Sequence, residues 1–264
     1  MQKCSSVSGR VHSVETLGAL EGPGLRFVVF LQGCPIRCAY CHNPDTWDME
    51  SGKIVSAKDQ VREILRYKNY LSGGVTISGG EPLVQTEFAR ALIDECHVHH
   101  LHTAIDTSGA VPLSLCREAV TAADLILLDI KAFDPKKAQK LCGIDMNHAW
   151  DLLDFCQSIG KPVWIRHVLV PGITLMEVDS SGKPLENEDD FRIANTELVE
   201  GILRLNTYSC IEKIELLPFH KLGEFKWENL SILFPLHDVD EPSELVLAWC
   251  MKLINENSQP GGTS

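Results

Sequence analysis

Three cysteines lie close together near the start of the chain, at a spacing that suits metal chemistry. Cys34, Cys38 and Cys41 are separated by three and then by two residues. Three thiolates in so short a loop can ligate three corners of an iron–sulfur cube. Because no fourth cysteine is near in sequence, one iron would be left free to chelate the amino and carboxylate groups of a small molecule. The alternative is a tetrahedral zinc site of the three cysteines and His42, although zinc motifs usually pair two separate knuckles and the sequence offers only one.

The other seven cysteines are scattered, and we expect them to be small buried hydrophobes or inert thiols. They are Cys4, Cys96, Cys116, Cys142, Cys156, Cys210 and Cys250. A disulfide framework is not expected, because this distribution does not resemble that of a small secreted domain. The histidine-rich stretch at residues 97–102 is expected to be a polar surface at a helix end and not a metal site.

Composition narrows the class of protein. Hydrophobic residues make up 44% and charged residues 23% of the 264 residues, which is ordinary for a globular protein with a real core. The formal net charge of −12 argues against a nucleic-acid partner, which requires a basic face. No apolar run reaches the roughly 18 residues that cross a bilayer, and the N-terminus lacks an apolar leader. We therefore expect a cytoplasmic protein with no membrane partner.

The cysteines must be positioned by a larger framework, and the hydrophobic pattern predicts one. Six short apolar runs predict strands buried on both faces, as in a parallel sheet, at residues 25–31, 74–77, 102–105, 125–130, 162–170 and 213–217. Helical patterns lie between them, at residues 57–70, 85–97, 113–122, 149–158 and 196–206. This alternation predicts right-handed βαβ units, and a closed eight-stranded barrel would need two more of them.

The predicted fold class is therefore α/β, an open partial (β/α)6 barrel of the TIM type in a single domain. That domain is expected to span residues 1–255, with a β-hairpin at 1–24 and a disordered tail at 256–264. The stretch at 177–190, including the acidic run 186–190, is expected to be a polar, solvated excursion.

Polar and glycine-rich motifs follow the predicted strands with unusual regularity. They occupy residues 32–41, 78–82 and 106–109, then Asp129 with Lys131, Arg166 with His167, and His220. In barrels of this kind, the chemistry lies on the loops at the carboxyl ends of the strands. The sequence therefore predicts that these motifs converge on one active-site mouth.

The motifs resemble those of a known superfamily. The pattern Cys-x3-Cys-x2-Cys, with an aromatic residue (Tyr40) before its last cysteine, resembles the radical S-adenosylmethionine (SAM) enzymes, and residues 78–82 (SGGEP) support the resemblance. From residue 9 to about residue 227 the chain is similar to the pyruvate formate-lyase activating enzymes. The similar stretches are 9–13 (GRVHS), 45–48 (DTWD), 106–109 (DTSG), 163–166 (VWIR) and 215–223 (ELLPFHKLG).

Activators of other glycyl-radical enzymes often carry a cysteine-rich, ferredoxin-like insert after the triplet. This chain has no cysteine between Cys41 and Cys96. The resemblance therefore favours the pyruvate formate-lyase branch.

The resemblance implies a role for each matching residue. The three clustered cysteines would hold a single [4Fe-4S] cluster. The residues that would bind SAM are Tyr40, Cys41, His42, Gly79, Gly80, Glu81, Asp129, Ile130, Lys131, Arg166 and His220. A candidate monovalent-cation site would use Asp106, Thr107, the carbonyl of Leu127 and Asp129.

The physical reasons for these roles can be stated for several of the residues. Gly79 and Gly80 let the backbone approach the ligand closely, and the carboxylate of Glu81 suits the ammonium group of the methionine moiety. Lys131 is expected at the mouth, with a surface lysine as the alternative. For Arg166, pairing with an anionic group in the mouth and a salt bridge at the rim of the core are equally favoured.

The implied activity is that of an oxidoreductase of anaerobic glucose metabolism. Reductive cleavage of SAM would give methionine and a 5′-deoxyadenosyl radical, which removes a hydrogen from a glycine Cα of pyruvate formate-lyase. A low-potential electron donor such as flavodoxin or ferredoxin would be a partner, and the chain is expected to be a monomer. The alternatives are activation of a different glycyl-radical enzyme, modification of a small molecule, and a non-catalytic zinc-binding protein.

Overall fold

The computed structural model describes residues 7–257, and its framework is one eight-stranded sheet. The strands are β1 (Ser8–Gly18), β2 (Arg26–Leu31), β3 (Lys53–Ser56), β4 (Gly74–Gly79), β5 (Thr103–Thr107), β6 (Leu125–Asp129), β7 (Val163–Leu169) and β8 (Ile211–Pro218). Their order is β3-β1-β2-β4-β5-β6-β7-β8, and the sheet does not close. Strands β2 and β4 to β8 are parallel, while β1 is antiparallel to both β2 and β3. The predicted open barrel of six parallel strands is confirmed.

Nine helices are present in the described part of the chain. They are α1 (Ala57–Ile64), α2 (Thr86–Val98), α3 (Leu113–Ala122), α4 (Pro135–Cys142), α5 (Asn147–Ile159), α6 (Glu188–Ala194), α7 (Thr196–Leu205), α8 (Glu224–Asn229) and α9 (Glu244–Asn257). Five of them match the predicted helices. The first is shorter than predicted, because α1 ends at Ile64 and a separate 3-10 turn covers Lys68–Tyr70.

The acidic stretch at residues 186–190 is not simply a solvated loop. Asn187 caps the N-terminus of α6 by accepting a hydrogen bond from the Asp190 N–H, and three acidic residues occupy the first turn. Carboxylates are favourable there, because the N-terminus of a helix carries a partial positive charge. The stretch is therefore polar and largely exposed, as predicted, but its last part begins a helix.

The core follows from the burial of parallel strands on both faces. Phe27, Ile77, Ile105 and Ile126, from four neighbouring strands, are completely buried against the outer helices. A second apolar cluster joins β7 and β8 to α7 and α9, and so covers the last strand of the sheet. Five scattered cysteines are buried within these clusters, as predicted, namely Cys96, Cys116, Cys156, Cys210 and Cys250.

The ends of the chain lie partly outside the described residues. A hairpin is present as β1 paired with β2, so its second strand lies beyond the predicted range 1–24, and residues 1–6, including Cys4, lie outside the described residues. The predicted tail 256–264 also lies outside, except for its first two residues, which end α9. No helix formed by residues 7–257 is long and apolar enough to cross a membrane.

Candidate functional site

The carboxyl ends of the parallel strands meet at one edge of the sheet. The strand register pairs Leu31 with Gly79, and Asp129 with Arg166. The motifs that follow β2, β4, β5, β6, β7 and β8 are therefore brought to one mouth, where a parallel sheet of this kind places its chemistry.

The loop that carries the three cysteines follows β2 and is held by hydrogen bonds at its start. The Gly33 N–H donates to the carbonyl of Thr46 at 2.8 Å. The Gln32 amide donates to the carbonyls of Asp45 and Asp48, at 3.0 and 2.9 Å. Because these bonds tie the start of the loop to residues beyond its end, the thiols are held over the mouth.

The three thiols are shielded from water. Cys34 and Cys38 are each 6% exposed, and Cys41 is half-buried. Burial raises the pKa of Cys34 to about 12 and that of Cys41 to about 11, against smaller lowering effects of the Ile36 and Asn43 N–H groups. Metal binding must therefore displace protons from these sulfurs.

The zinc alternative is not supported by the arrangement of side chains. Within residues 7–257, no group of three or more His, Cys, Asp or Glu side chains is placed to hold a metal ion. His42 is engaged elsewhere, because its ring stacks on the ring of His220 with 4.3 Å between centroids. The thiolate ligands of a cubane bind separate irons and need not converge on one point.

The glycine motif after β4 packs directly against the cysteine loop. A Cβ at Gly80 would overlap the carbonyl oxygen of Gly33 and lie 2.9 Å from the Cβ of Cys34. Gly79 has a positive φ of 129°, and a Cβ there would overlap the backbone of Leu31. The sequence predicted that these glycines let the backbone approach a ligand closely. In the structure they also let the β4 motif approach the cysteine loop closely.

The carboxylate of Glu81 is completely buried and accepts four hydrogen bonds. The Thr107 hydroxyl donates to Oε1 at 2.6 Å, as does the Leu83 N–H at 3.1 Å. The N–H and hydroxyl of Ser108 donate to Oε2 at 2.9 and 2.6 Å. Burial raises the pKa of Glu81, and these donors oppose the rise. The Glu81 carboxylate therefore binds mainly Thr107 and Ser108 at the end of β5. The sequence predicted instead that it would contact an ammonium group.

Glu81→Gln tests this bracing role. The glutamine amide would place an NH2 group where hydrogen-bond donors already point, so buried donors would lose their acceptor. Each buried donor without an acceptor costs about 1–3 kcal/mol. We expect the free energy of unfolding to fall by about 2–3 kcal/mol in chemical denaturation. The control is Glu87→Gln, an exposed residue in the first turn of α2, which should cost less than about 1 kcal/mol because it loses only a first-turn carboxylate. Equal stability of the two variants would contradict the brace.

Lys131 is buried beneath the mouth and is not a surface lysine, so that alternative is wrong. Its Nζ lies 2.7 Å from Oδ2 of Asp129 and 5.5 Å from the centre of the Tyr40 ring. Burial alone would lower the pKa of Lys131, but Asp129, Tyr40, Cys38 and Cys142 together outweigh burial and the pKa is raised. The mouth therefore holds a fixed positive charge beside the cysteine loop.

Arg166 forms the salt bridge that was one of its two predicted roles. Its Nε lies 3.2 Å from Glu215, and its Nη1 lies 3.6 Å from Asp106, while Nη2 donates to the carbonyl of Leu20. The backbone of Ile130 is also committed, because its N–H donates to the Arg166 carbonyl at 2.9 Å. These contacts join the ends of β5, β6, β7 and β8.

The candidate cation ligands lie together, but most of their oxygens have other partners. Asp106 and Leu127 are paired in register on β5 and β6. Asp106 accepts a hydrogen bond from the Ser78 hydroxyl at 2.8 Å, and Thr107 donates to Glu81. Of the two Asp129 oxygens, Oδ2 pairs with a lysine and Oδ1 is buried with no hydrogen-bond partner among the described residues.

The segment after β8 closes over the cysteine loop, a feature that sequence reasoning missed. The Trp227 indole N–H, from α8, donates to the carbonyl of Cys41 at 2.8 Å. The Trp227 ring packs edge-on against Trp47, with 5.0 Å between centroids. Gly223 lies against the backbone of His42 so closely that a Cβ there would come within 2.6 Å of its Cα. The tryptophan that follows the His220 motif is the sequence feature that could have indicated this cover.

Four buried polar atoms in the described chain have no hydrogen-bond partner, and three of them lie on the strand-end motifs. They are the Tyr40 hydroxyl, Trp47 Nε1, Asp129 Oδ1 and His167 Nε2. Buried polar groups are nearly always partnered, so a concentration of unpartnered ones marks a place built for a ligand. Three thiols, a phenol, a carboxylate oxygen and a nearby lysine together fit an iron–sulfur cluster and a charged cofactor.

Comparison with known proteins agrees with this chemistry. The family model of the Radical SAM superfamily matches residues 28–182. The chain is 39% identical to the pyruvate formate-lyase-activating enzyme of Staphylococcus epidermidis, across 96% of this chain and 98% of that protein. It is 37% identical to the protein of the same name from Listeria monocytogenes, across 96% and 99%.

Solved structures with low sequence identity share the fold. A domain of a pyruvate-formate lyase-activating enzyme from Bacteroides vulgatus is 24% identical and superposes with a TM-score of 0.52, covering 70% of this chain and 95% of that one. A radical SAM methyltransferase from Sphaerobacter thermophilus is 16% identical with a TM-score of 0.58, covering 89% and 65%.

Proposed function

The chain belongs to the radical SAM superfamily and, within it, to the family of pyruvate formate-lyase-activating enzymes, and on that premise we propose that it generates a glycyl radical on pyruvate formate-lyase. The observation that supports the proposal is the set of side chains that the fold brings together at the mouth. Three shielded thiols, a buried lysine–carboxylate pair and two stacked histidines lie at the ends of the parallel strands.

The residues of the mouth would hold a [4Fe-4S] cluster and SAM. Cys34, Cys38 and Cys41 would bind three irons, leaving the fourth open to SAM. When bound, the cluster and SAM supply a one-electron cleavage that yields methionine and a 5′-deoxyadenosyl radical able to remove a glycine Cα hydrogen. The protein itself has to bind these groups, orient them and keep water out.

The side chains around the cysteines suit the two halves of SAM. The unpartnered Tyr40 hydroxyl can donate or accept a hydrogen bond, and the unpartnered Asp129 Oδ1 can accept one. Asp129 suits a ribose hydroxyl, and Lys131 suits a carboxylate. The backbone of Gly79 and Gly80, and the stacked rings of His42 and His220, would border the amino group and the adenosyl group.

A monovalent cation at Asp106, Thr107, Leu127 and Asp129 is a further part of the proposal. The support is the pairing of β5 with β6, which places Asp106 beside Leu127, and the unpartnered Asp129 oxygen. Oxygen ligands of this type suit a hard cation. Arg166 and Lys131 already pair with the carboxylates of Asp106 and Asp129, so the cation would add to the positive charge that these two side chains supply.

The partners follow from the same chemistry. The cleavage consumes one electron, so a low-potential donor such as flavodoxin or ferredoxin has to supply it. The substrate glycine must reach the mouth on a mobile loop of its own protein, and some opening around α8 is expected on binding. We propose that the chain acts as a monomer.

The test is an anaerobic activation assay. Enzyme with a reduced cluster, SAM and pyruvate formate-lyase should give the doublet spectrum of a glycyl radical by electron paramagnetic resonance, with deoxyadenosine released in step. The matched control is a lyase in which the radical glycine is replaced by alanine, and it should give no signal. A signal only with another glycyl-radical enzyme would overturn the substrate. Deoxyadenosine formation driven only by a small molecule would overturn the activase function.

A further inference from the structure

His167 is a buried side chain that the site described above does not use. It lies in β7, is 1% exposed, and its Nδ1 lies 2.6 Å from the carbonyl oxygen of Ile130. A carbonyl oxygen can only accept a hydrogen bond, so Nδ1 carries the proton and donates it. Burial lowers the pKa of His167, so the ring is neutral and its Nε2 carries no proton.

The Nε2 of this ring has no hydrogen-bond partner among the described residues. Buried polar atoms are nearly always hydrogen-bonded, and one without a partner lowers stability. A phenylalanine would occupy a similar volume without such an atom. The hydrogen bond from Nδ1 is therefore the property that distinguishes histidine from an apolar ring at this position.

The residue that accepts this hydrogen bond lies between the two members of the lysine–carboxylate pair. Asp129 ends β6, and its carboxylate meets Lys131 at 2.7 Å. Between them, the Ile130 side chain is completely buried in the main core. The Ile130 N–H donates to the carbonyl of Arg166, and the Ile130 carbonyl accepts from His167. Two successive residues of β7 therefore fix both polar groups of Ile130.

The same ring also holds the chain beyond Lys131. The His167 ring packs on the ring of Phe133, with 4.7 Å between centroids and 31° between planes. Phe133 is itself fixed against α7, because a Cβ at Gly201 would overlap its ring. His167 therefore contacts both ends of the segment 130–133, which contains the lysine of the mouth.

We propose that His167 is a positioning residue for SAM binding, because its hydrogen bond to the Ile130 carbonyl holds the lysine–carboxylate pair in place. The inference rests on the proposed function, which assigns this pair to SAM. Rotation of the peptide that follows Ile130 would move the backbone of Lys131, and with it the ammonium group of the pair. A pair that is held before SAM arrives lowers the ordering cost of binding.

Two variants separate the hydrogen bond from the packing of the ring. His167→Phe keeps an aromatic ring beside Phe133 but has no donor. His167→Asn loses most of the ring but keeps an N–H at the position of Nδ1. Should His167→Phe fail to fold, His167→Leu replaces it as the variant without a donor. The control is His148→Phe, at an exposed position of α5.

Three quantities are measured for each protein. The proteins are reconstituted anaerobically, and their iron content and their affinity for SAM are determined, the second by calorimetry. The free energy of unfolding is measured by chemical denaturation of the cluster-free form. A residue that acted only through packing would change SAM affinity and stability together.

The expected result is that the hydrogen bond and the packing affect different measurements. His167→Phe should bind SAM about tenfold more weakly, the effect of one lost hydrogen bond. Its iron content and stability should stay close to wild type, because it removes one unpartnered atom and creates another. His167→Asn should be less stable because the ring is lost, yet bind SAM within about threefold of wild type. His148→Phe should match wild type throughout.

A measurement without any cofactor tests the hydrogen bond itself. Cluster-free wild type with isotope-labelled histidine is examined by nitrogen NMR at neutral pH. The ring signal that is absent from His167→Asn should be that of a neutral imidazole with its proton on Nδ1.

Three outcomes would contradict the inference. Wild-type SAM affinity in the variant without a donor would show that the hydrogen bond does not position the pair. A greater loss of affinity in His167→Asn than in His167→Phe would assign the effect to packing. A His167 ring with its proton on Nε2 would remove the donor. If reconstituted wild type holds its cluster but does not bind SAM, whatever the state of this ring, it is the proposed function that fails.

Discussion

Replacing Cys38 with alanine is expected to leave the protein without a cluster and without detectable glycyl-radical formation. A cubane held by three thiolates loses a third of its protein ligands, and Cys38 is the central residue of the triplet, buried against the end of α4. Iron and sulfide should fall from about four of each per chain to near zero after anaerobic reconstitution and desalting. Iron and sulfide assays and the activation assay are the measurements.

The matched control is Cys156→Ala. Cys156 is as deeply buried as Cys38, but it lies in α5 within the main core. Its replacement removes one sulfur from the core and should cost about 1 kcal/mol of stability, with full cluster content and activity. Equal iron content in both variants would mean that the triplet does not hold the cluster.

The fold was largely predictable because parallel strands are buried on both faces and so form short, continuous apolar runs. The run at β2, with Phe27 to Val29 completely buried, is an example. The strands β1 and β3, at the antiparallel end of the sheet, were less visible, since both are only partly buried and carry polar residues. The helices α4 and α8 are short and largely polar, and their place is set by contacts with the cysteine loop that no local pattern shows.

The site was predictable where chemistry imposes a spacing, as it does for the three cysteines. It was not predictable where tertiary packing brings together residues far apart in sequence. The carbonyl of Cys142 accepts a hydrogen bond from the Arg37 N–H across 105 residues, and Trp227 reaches the carbonyl of Cys41 across 186. Glu81 shows the same limit, because its motif predicted a place at the mouth but not that its carboxylate is occupied by Thr107 and Ser108.

Replacing Gly80 with alanine is expected to disturb both the cluster and the SAM pocket. The added Cβ would overlap the Gly33 carbonyl and press on Cys34, so the loop that carries the cysteines must move. Forcing a methyl group into such a contact costs about 1–3 kcal/mol. If that cost falls on the bound state, SAM affinity drops by roughly five- to hundredfold. Binding of SAM to the reconstituted protein, measured by calorimetry beside its iron content, is the test.

The control for the backbone is Gly160→Ala. Gly160 ends α5 with a φ of 63°, and a Cβ there would meet nothing within 4 Å. Its replacement carries only the strain of a left-handed residue, about 1–2 kcal/mol of stability, and should leave iron content and SAM affinity unchanged. Gly80 does not have a left-handed backbone. A loss of iron or SAM affinity that occurs only in Gly80→Ala would therefore come from the contact between the β4 motif and the cysteine loop. Unchanged iron and SAM affinity in Gly80→Ala would show that the two loops can separate without consequence, and that the glycine is not needed for their close approach.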